Sequence, residues 1–275
     1  MQFAQKFFET AALRQAIYYK KEVLREPYPW SSDERFNTEF FCNVFRWQDK
    51  TTKVIFDKAK SIEELIVYRC LSRIETIEYL DKHWNGESLD SLNTLLAAYA
   101  LRHPVMTNAF FVWPKLGKRR HEIPGLIFAA LDPDKISQAK TMQEVFKYCR
   151  TLPATGPFMA YEYATDFSYL VKYPDEKTWS SCGPGARRGM SRVLTGDAFA
   201  AKDEDYQAFS LTLYEAWTRF DHAKELRKYL APQDAELAAR PFYERLTMRE
   251  VEHWLCEYDK YRRDGRTKRQ YYVTE

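Results

Sequence analysis

Nine glycines in 275 residues leave this chain few places to turn tightly, so its apolar periodicity reads as helices joined at prolines and caps rather than as hairpins. Thr10 to Leu24 reads as an amphipathic helix stopped by Glu26-Pro-Tyr-Pro29. Ser31-Ser-Asp-Glu34 has the composition of an N-cap and first turn, and predicts a long helix through Phe36, Phe40, Phe41, Val44, Phe45 and Gln48. Ser61-Ile-Glu-Glu64 predicts a helix to Leu80, and another follows from Ser88 to Leu101. Val105 to Trp113 is a short apolar run, read as a small β-hairpin or a helix end, with Pro114 to Arg120 as the turn after it. Asp132-Pro-Asp134 and Thr141-Met-Gln-Glu144 start two further helices. Beyond Asp203 come two or three more, broken at Ala231-Pro-Gln and Arg240-Pro-Phe, with Thr247-Met-Arg-Glu250 capping the last and a basic tail from Arg262 to Glu275. The fold class is mainly α.

The length suits one large helical domain over 1–275 or two lobes, with enough chain to bury a core unaided. Five cysteines (Cys42, Cys70, Cys149, Cys182, Cys256) lie far apart with no C-x-x-C pair, which argues against a zinc site or an iron–sulfur cluster and for reduced thiols in a cytoplasmic protein. No run of 18 apolar residues occurs, so no membrane partner is expected. A net charge of +3 is too small for binding DNA by bulk charge. Contacts to nucleic acid would have to come from local clusters: Lys115 with Lys118-Arg119-Arg120, Arg187-Arg188 with Arg192, and Arg262 to Arg269. An aromatic content of 16% suits base stacking, but more often such residues fill a core.

Two segments carry chemistry. Leu152-Pro-Ala-Thr-Gly-Pro-Phe-Met-Ala160 is a Pro/Gly turn between two helical patterns, and predicts a helix-hairpin-helix over about 141–170 whose backbone N–H groups at Thr155 and Gly156 approach a DNA phosphate. Cys182-Gly-Pro-Gly-Ala-Arg-Arg-Gly189 reads as a basic Gly-rich loop, with Gly183, Gly185 and Arg188 as a second phosphate grip beside Arg192. The first segment resembles the L-P-G-[VI]-G-x-x-T-A hairpin of DNA glycosylases at Leu152, Pro153, Gly156 and Ala160, and departs from it at Ala154 and Met159. Phe158 stands where the strand-cutting members have lysine, which argues against a Schiff-base lyase. Arg187 falls where those enzymes carry their catalytic aspartate, so a cation replaces the carboxylate that excision needs.

Polar clusters accompany these motifs. Asn37, Phe40, Asn43, Arg46, Asp49 and Lys50 recur at helical spacing and would share one face of the long early helix. Asn108 adjoins the short apolar run. Near the C-terminus, Glu252, His253, Cys256, Glu257 and Lys260 crowd one helix, where the second histidine of an H-E-x-x-H zinc site is missing. Each cluster could equally be an ordinary solvated face with charge pairs.

In order along the chain, the F-x-x-x-F-F-C-N-V-F-R-W-Q-D, T-N-A-F-F-V, G-P-F-M-A-Y-E-Y-A-T-D-F, G-P-G-A-R-R-G and E-H-W-L-C-E-Y-D-K segments resemble the α-glutamyl/putrescinyl thymine pyrophosphorylase family over roughly residues 14–265. That family is related to the helical domain of 5-hydroxymethyluracil DNA kinases and to helix-hairpin-helix glycosylases. The resemblance implies a glycosylase-like helical fold and a role in hypermodified thymine of bacteriophage DNA, within an infected host's cytoplasm. It implies a transferase acting on double-stranded DNA after an upstream DNA kinase, replacing pyrophosphate on 5-hydroxymethyluracil with the amine of an amino acid or polyamine. The chain has no G-x-x-x-x-G-K-[ST] of its own. Under this reading Arg46, Arg187 and Arg188 meet the phosphates, and Asp49, Asp166 or Glu252 is the base. Trp47 or Tyr161 would receive a flipped base, with Asn43, Asn108, His253, Glu257 and Lys260 around the pocket. No cofactor is identified and no motif demands a metal, although the acidic residues could hold Mg²⁺. A glycosylase and a non-catalytic DNA-binding module are the alternatives.

Overall fold

Cap residues decide where many of the helices begin. The computed structural model describes residues 3–107 and 119–263, and among these no β-strand occurs. The chain divides into two compact units: Met1–Arg46 with Lys177–Glu275 (unit 1), and Trp47–Glu176 (unit 2). It begins in unit 1 with α1 (Ala4–Tyr18), extended by a π-helical turn at Tyr19–Val23, and a short α2 (Glu34–Thr38). Unit 2 then holds α3 (Lys50–Lys58), α4 (Ile62–Leu71), α5 (Ile74–His83), α6 (Leu89–Ala100), α7 (Ile123–Ala130), α8 (Pro133–Ser137), α9 (Met142–Cys149) and α10 (Pro157–Leu170). Back in unit 1 come α11 (Pro184–Thr195), α12 (Tyr206–Thr218), α13 (His222–Leu226), α14 (Pro232–Glu244) and α15 (Met248–Arg262). No described helix is long and apolar enough to cross a membrane.

The side chains of Ser61, Ser88, Asp132 and Thr141 cap the helices they were expected to start, and Thr247 with Glu250 forms a complete capping box. Four expectations are corrected. The long early helix ends at Thr38, because Glu39 to Phe45 runs non-helically through the interior and buries nearly every side chain. The helix expected to reach Leu80 breaks at Ser72, which is left-handed at φ 44° and separates α4 from α5. Pro241 sits inside α14 instead of breaking it. The Gly-rich loop is the start of α11: Gly183 is its N-cap, Pro184 occupies N1, and Ala186 to Thr195 continue as helix. The apolar run from Val105 and its turn lie mostly outside the described residues.

The glycines of α11 serve packing. Gly185 and Gly189, one turn apart, face α15; a Cβ on Gly185 would lie 2.8 Å from Cys256 Sγ, and one on Gly189 would run into the Leu255 carbonyl. The two helices therefore cross backbone to backbone. Around them an aromatic core gathers Phe7, Trp217, Phe242, Trp254 and Tyr258, with Trp254 Nε1 donating to the Phe7 carbonyl at 3.2 Å. His222 completes this core, stacked on Phe242 with ring centroids 4.0 Å apart. Its Nε2 bonds the Trp217 carbonyl at 2.9 Å, while Nδ1 is buried without a partner.

In unit 2, α9 and α10 are consecutive helices joined by the Pro/Gly turn. Helices α9 and α10 pack against one another across a turn in which Ala154 is left-handed (φ 57°) and Thr155 N–H donates to the Leu152 carbonyl at 3.3 Å. Asp175 accepts from Met142 N–H and Gln143 N–H at 2.8 and 3.0 Å, occupying the N-terminus of α9.

Two outcomes are expected. Gly189→Ala destabilises the protein by about 2 kcal/mol or more in urea unfolding, because rigid backbone meets the added methyl, whereas Gly156→Ala, with open space around it, stays within about 0.5 kcal/mol. Burial lowers the His222 pKa from 6.5 to about 4. The unfolded chain therefore takes up a proton between these values that the folded ring refuses, and stability falls as pH drops from 6.5 towards 4, by about 3 kcal/mol in all. His222→Phe should flatten that part of the stability–pH curve.

Candidate functional site

Helix α15 carries an unusual load for an interior element: Glu250, Glu252, His253, Glu257 and Asp259 are all buried. Each needs compensation, because an unpaired buried charge is costly. Asp259 receives Arg188 Nε at 2.8 Å, Arg192 Nε at 2.9 Å and the Arg263 guanidinium. Burial alone would raise its pKa, but these three arginines hold it below the ordinary carboxylate value. Glu257 accepts from Cys42 N–H at 3.1 Å and pairs with Lys260; against burial, Lys260 and His253 keep its pKa low. His253 Nε2 lies 3.0 Å from the Asn43 carbonyl.

These contacts explain how a non-helical segment survives in the interior. Phe41 to Asn43 have no ladder or helix for their backbone groups. Arg14 donates to the carbonyls of Phe41 and Cys42 at 3.3 and 3.1 Å, Glu257 takes the Cys42 N–H, and His253 bonds Asn43. The face expected from Asn37 to Lys50 does not exist as a helix face. Asn43 and Arg46 are instead buried beside this strap in unit 1; Trp47 is half-buried in unit 2, and Asp49 is the N-cap residue of α3 without a side-chain cap bond.

The polar wall nearest the start of α11 contains Glu252. Its Oε1 would be 3.3 Å from a Cβ on Gly183, and it accepts from Cys256 Sγ at 3.5 Å. Tyr206 and Ser180 share a buried hydrogen bond of 3.2 Å in the same unit; burial first, and then the Glu252 charge, push the Tyr206 pKa well up. Burial and Glu252 likewise push up the Cys256 thiol, which argues against a thiolate nucleophile there. Arg187 is exposed on the first turn of α11, whose N-cap, Gly183, has no side chain with which to cap it. The start of α11 thus brings together a glycine N-cap, a cation at Arg187 and the Glu252 carboxylate, and helix N-termini of this kind attract anions.

Other expected residues are placed differently. Arg188 and Arg192 turn to Asp259, so the paired arginines brace α11 against α15. Asp166 is fully buried in unit 2 and held by Arg69 through Nε at 2.5 Å and an Nη at 2.7 Å, with the same Nη reaching Thr52 Oγ1 at 3.0 Å. Tyr161 is buried on α10. At the hairpin, Thr155 is buried with its hydroxyl on the Pro153 carbonyl, and Gly156 is exposed as the N-cap of α10. Arg119 and Arg120 are exposed at a short 3-10 turn closed by Glu122; Asn108 and Lys118 lie outside the described residues. Arg69 and Asp259 were missed. Arg69 had a readable signal, since a lone cation inside Leu65-Ile-Val-Tyr-Arg-Cys-Leu71 must be buried and paired.

The family model described as 5-hmdU DNA kinase, helical domain, matches residues 1–270. This chain belongs to that family. A 5-hmdU DNA kinase of Bacillus phage SP10 is 24% identical over 295 residues, covering 93% of this chain and 44% of the phage protein. The chain thus spans less than half the length of that kinase. No solved structure matches.

The Arg69–Asp166 pair separates a structural from a catalytic carboxylate. Asp166→Asn is expected to cost about 3–5 kcal/mol by leaving Arg69 buried and unneutralised, and the double variant Arg69→Met/Asp166→Leu to recover most of it in urea unfolding. Full stability with lost activity in the double variant would return Asp166 to the chemistry.

Proposed function

We propose that this protein modifies thymine-derived bases in DNA, replacing pyrophosphate on a 5-hydroxymethyluracil with the amine of an amino acid or polyamine. The reading rests on membership of a family described by a 5-hmdU DNA kinase. The observation that supports the chemistry is the glycine-capped start of α11 with Glu252 beside it. Loss of pyrophosphate from the C5 methylene leaves a cation delocalised into the pyrimidine; the N-terminus of α11 and Arg187 would take up the leaving charge. The amine then forms the C–N bond, and Glu252 would accept the proton it sheds. The hairpin turn would hold the DNA backbone through the main-chain N–H of Gly156, that of Thr155 being taken by the Leu152 carbonyl.

A second reading is that the chain is the DNA-gripping partner of a catalytic part found elsewhere. It is favoured by the family's description as the helical domain of a kinase and by coverage of only 44% of the phage relative.

The test is mass spectrometry of nucleosides from 5-hydroxymethyluracil DNA, pyrophosphorylated by a kinase and incubated with the protein and a pool of amines. A nucleoside that has lost pyrophosphate and gained a donor supports the transferase, and Glu252→Gln should then slow turnover about 100-fold or more with DNA affinity retained. Free base with abasic sites would establish glycosylase chemistry. Unchanged DNA that is nevertheless bound would favour the second reading.

A further inference from the structure

The turn between α5 and α6 in unit 2, Trp84-Asn-Gly-Glu87, has no part in the chemistry above. Asn85 is exposed in that turn and is followed by Gly86. We propose that Asn85 is a site of spontaneous covalent modification, at which the folded chain loses ammonia through a cyclic imide and gains an aspartyl or isoaspartyl residue.

The reaction requires the backbone nitrogen after an asparagine to reach that asparagine's side-chain carbon. Gly86 N gives up its proton to solvent base and bonds to Asn85 Cγ; the Cγ–Nδ2 bond then breaks, and Nδ2 leaves with a solvent proton as ammonia. One water opens the five-membered imide. Attack at Cγ restores the ordinary peptide link, and attack at the main-chain carbonyl routes the chain through the side chain. No electrons are exchanged, and water is the only co-reactant.

Of the five asparagines, this one is placed to react. Asn37, Asn43 and Asn93 precede Thr38, Val44 and Thr94, whose branched side chains crowd the attacking nitrogen, and Asn108 lies outside the described residues. Asn43 is also buried, Asn37 is held by Nδ2 donating to the Ser31 carbonyl at 2.6 Å, and Asn93 sits inside α6, where the next N–H belongs to the helix ladder. Gly86 has no Cβ to shield its nitrogen, and its φ of 82° is one that larger residues rarely adopt. Among the described residues no acceptor takes the Gly86 N–H, so the nucleophilic nitrogen is not tied into a bond. Asn85 Oδ1 accepts the Glu87 N–H at 3.2 Å. This contact closes a local turn, and the same donor steadies the negative charge that develops on Oδ1 as the nitrogen adds to Cγ. Asn85, Gly86 and Glu87 line a cavity of about 500 Å³, with room for the water that opens the imide. The product adds a carboxylate to a lining that already holds Glu63, Glu64 and Glu87.

The inference concerns unit 2 alone and does not depend on the transfer chemistry. The full chain is kept folded in warm, mildly alkaline buffer for several days, and each asparagine is followed by peptide mass spectrometry as the replacement of –NH₂ by –OH. Lys82 and Arg102 bound one tryptic peptide that holds both Asn85 and Asn93, so fragment ions compare the two directly. Asn85 should convert first, and at least tenfold faster than Asn93. Its rate in the folded chain should stay within tenfold of that in a free peptide of the Trp84–Glu87 sequence. A protein-isoaspartate methyltransferase with a labelled methyl donor should mark the aged chain. Asn85→Gln, whose longer side chain would have to close a six-membered ring, should remove most of that label with the circular dichroism spectrum unchanged. The proposal is overturned if Asn85 converts less than tenfold faster than Asn93, if folding slows it more than tenfold relative to the peptide, or if Asn85→Gln ages and takes up label like the parent chain.

Discussion

Unit 1 is organised around the cost of burying charge on α15. A helix with Glu250, Glu252, His253, Glu257 and Asp259 out of water can exist only if its neighbours supply the missing partners. The packing shows how they do so. Gly185 and Gly189 let α11 approach until Arg188 and Arg192 reach Asp259; Thr247 and Arg249 attend Glu250; Lys260 and the Cys42 N–H attend Glu257. The exchange works in both directions. The same acidic and imidazole groups satisfy the backbone of the non-helical strap at Cys42 and Asn43, which no regular element accompanies.

This reciprocity explains what was legible in the sequence. Helix starts were, because Ser61, Ser88, Asp132, Thr141 and Thr247 act through bonds three or four residues long. The hairpin was, since its Pro/Gly turn is also local. The strap was not: Phe40, Phe41, Val44 and Phe45 have spacings that fit a helix, and what overrides them is Arg14 and α15, more than 200 residues away for Glu257 and His253. The role of Arg188 was hidden for the same reason, because its partner Asp259 is 71 residues distant. Of the candidate site, Gly183, Arg187 and Glu252 were named from the sequence, but nothing local showed that Glu252 lies beside Gly183.

The helix starts also differ among themselves in an informative way. Seven helices begin with a serine, threonine or aspartate whose side chain accepts a backbone N–H. Helices α10 and α11 begin instead with Gly-Pro, at Gly156-Pro157 and Gly183-Pro184, and neither has a side-chain cap. Neither glycine is demanded by conformation, because both are extended with negative φ. At Gly156 nothing lies within 4 Å of where a Cβ would be, so packing does not demand it either. A glycine N-cap offers the first-turn N–H groups no oxygen of its own and carries a small stability cost relative to serine, threonine or aspartate.

Both of these glycine-capped helices are also fixed from within. Asp166, on the third turn of α10, is clamped to Arg69 of α4, and Arg188 and Arg192 of α11 are clamped to Asp259 of α15. Buried ion pairs of this kind contribute little net stability compared with apolar packing, but they hold one orientation strongly, because any other leaves a charge unpaired in the interior. A helix start that recognises an anion through backbone N–H groups has no side-chain rotamers with which to adjust. Its donors are aimed only by the position of the whole helix. Two of the arginines that a sequence reading would place on phosphate therefore have a different use in this fold: by gripping Asp259, Arg188 and Arg192 set the position of α11, while Arg187 of the same motif stays exposed.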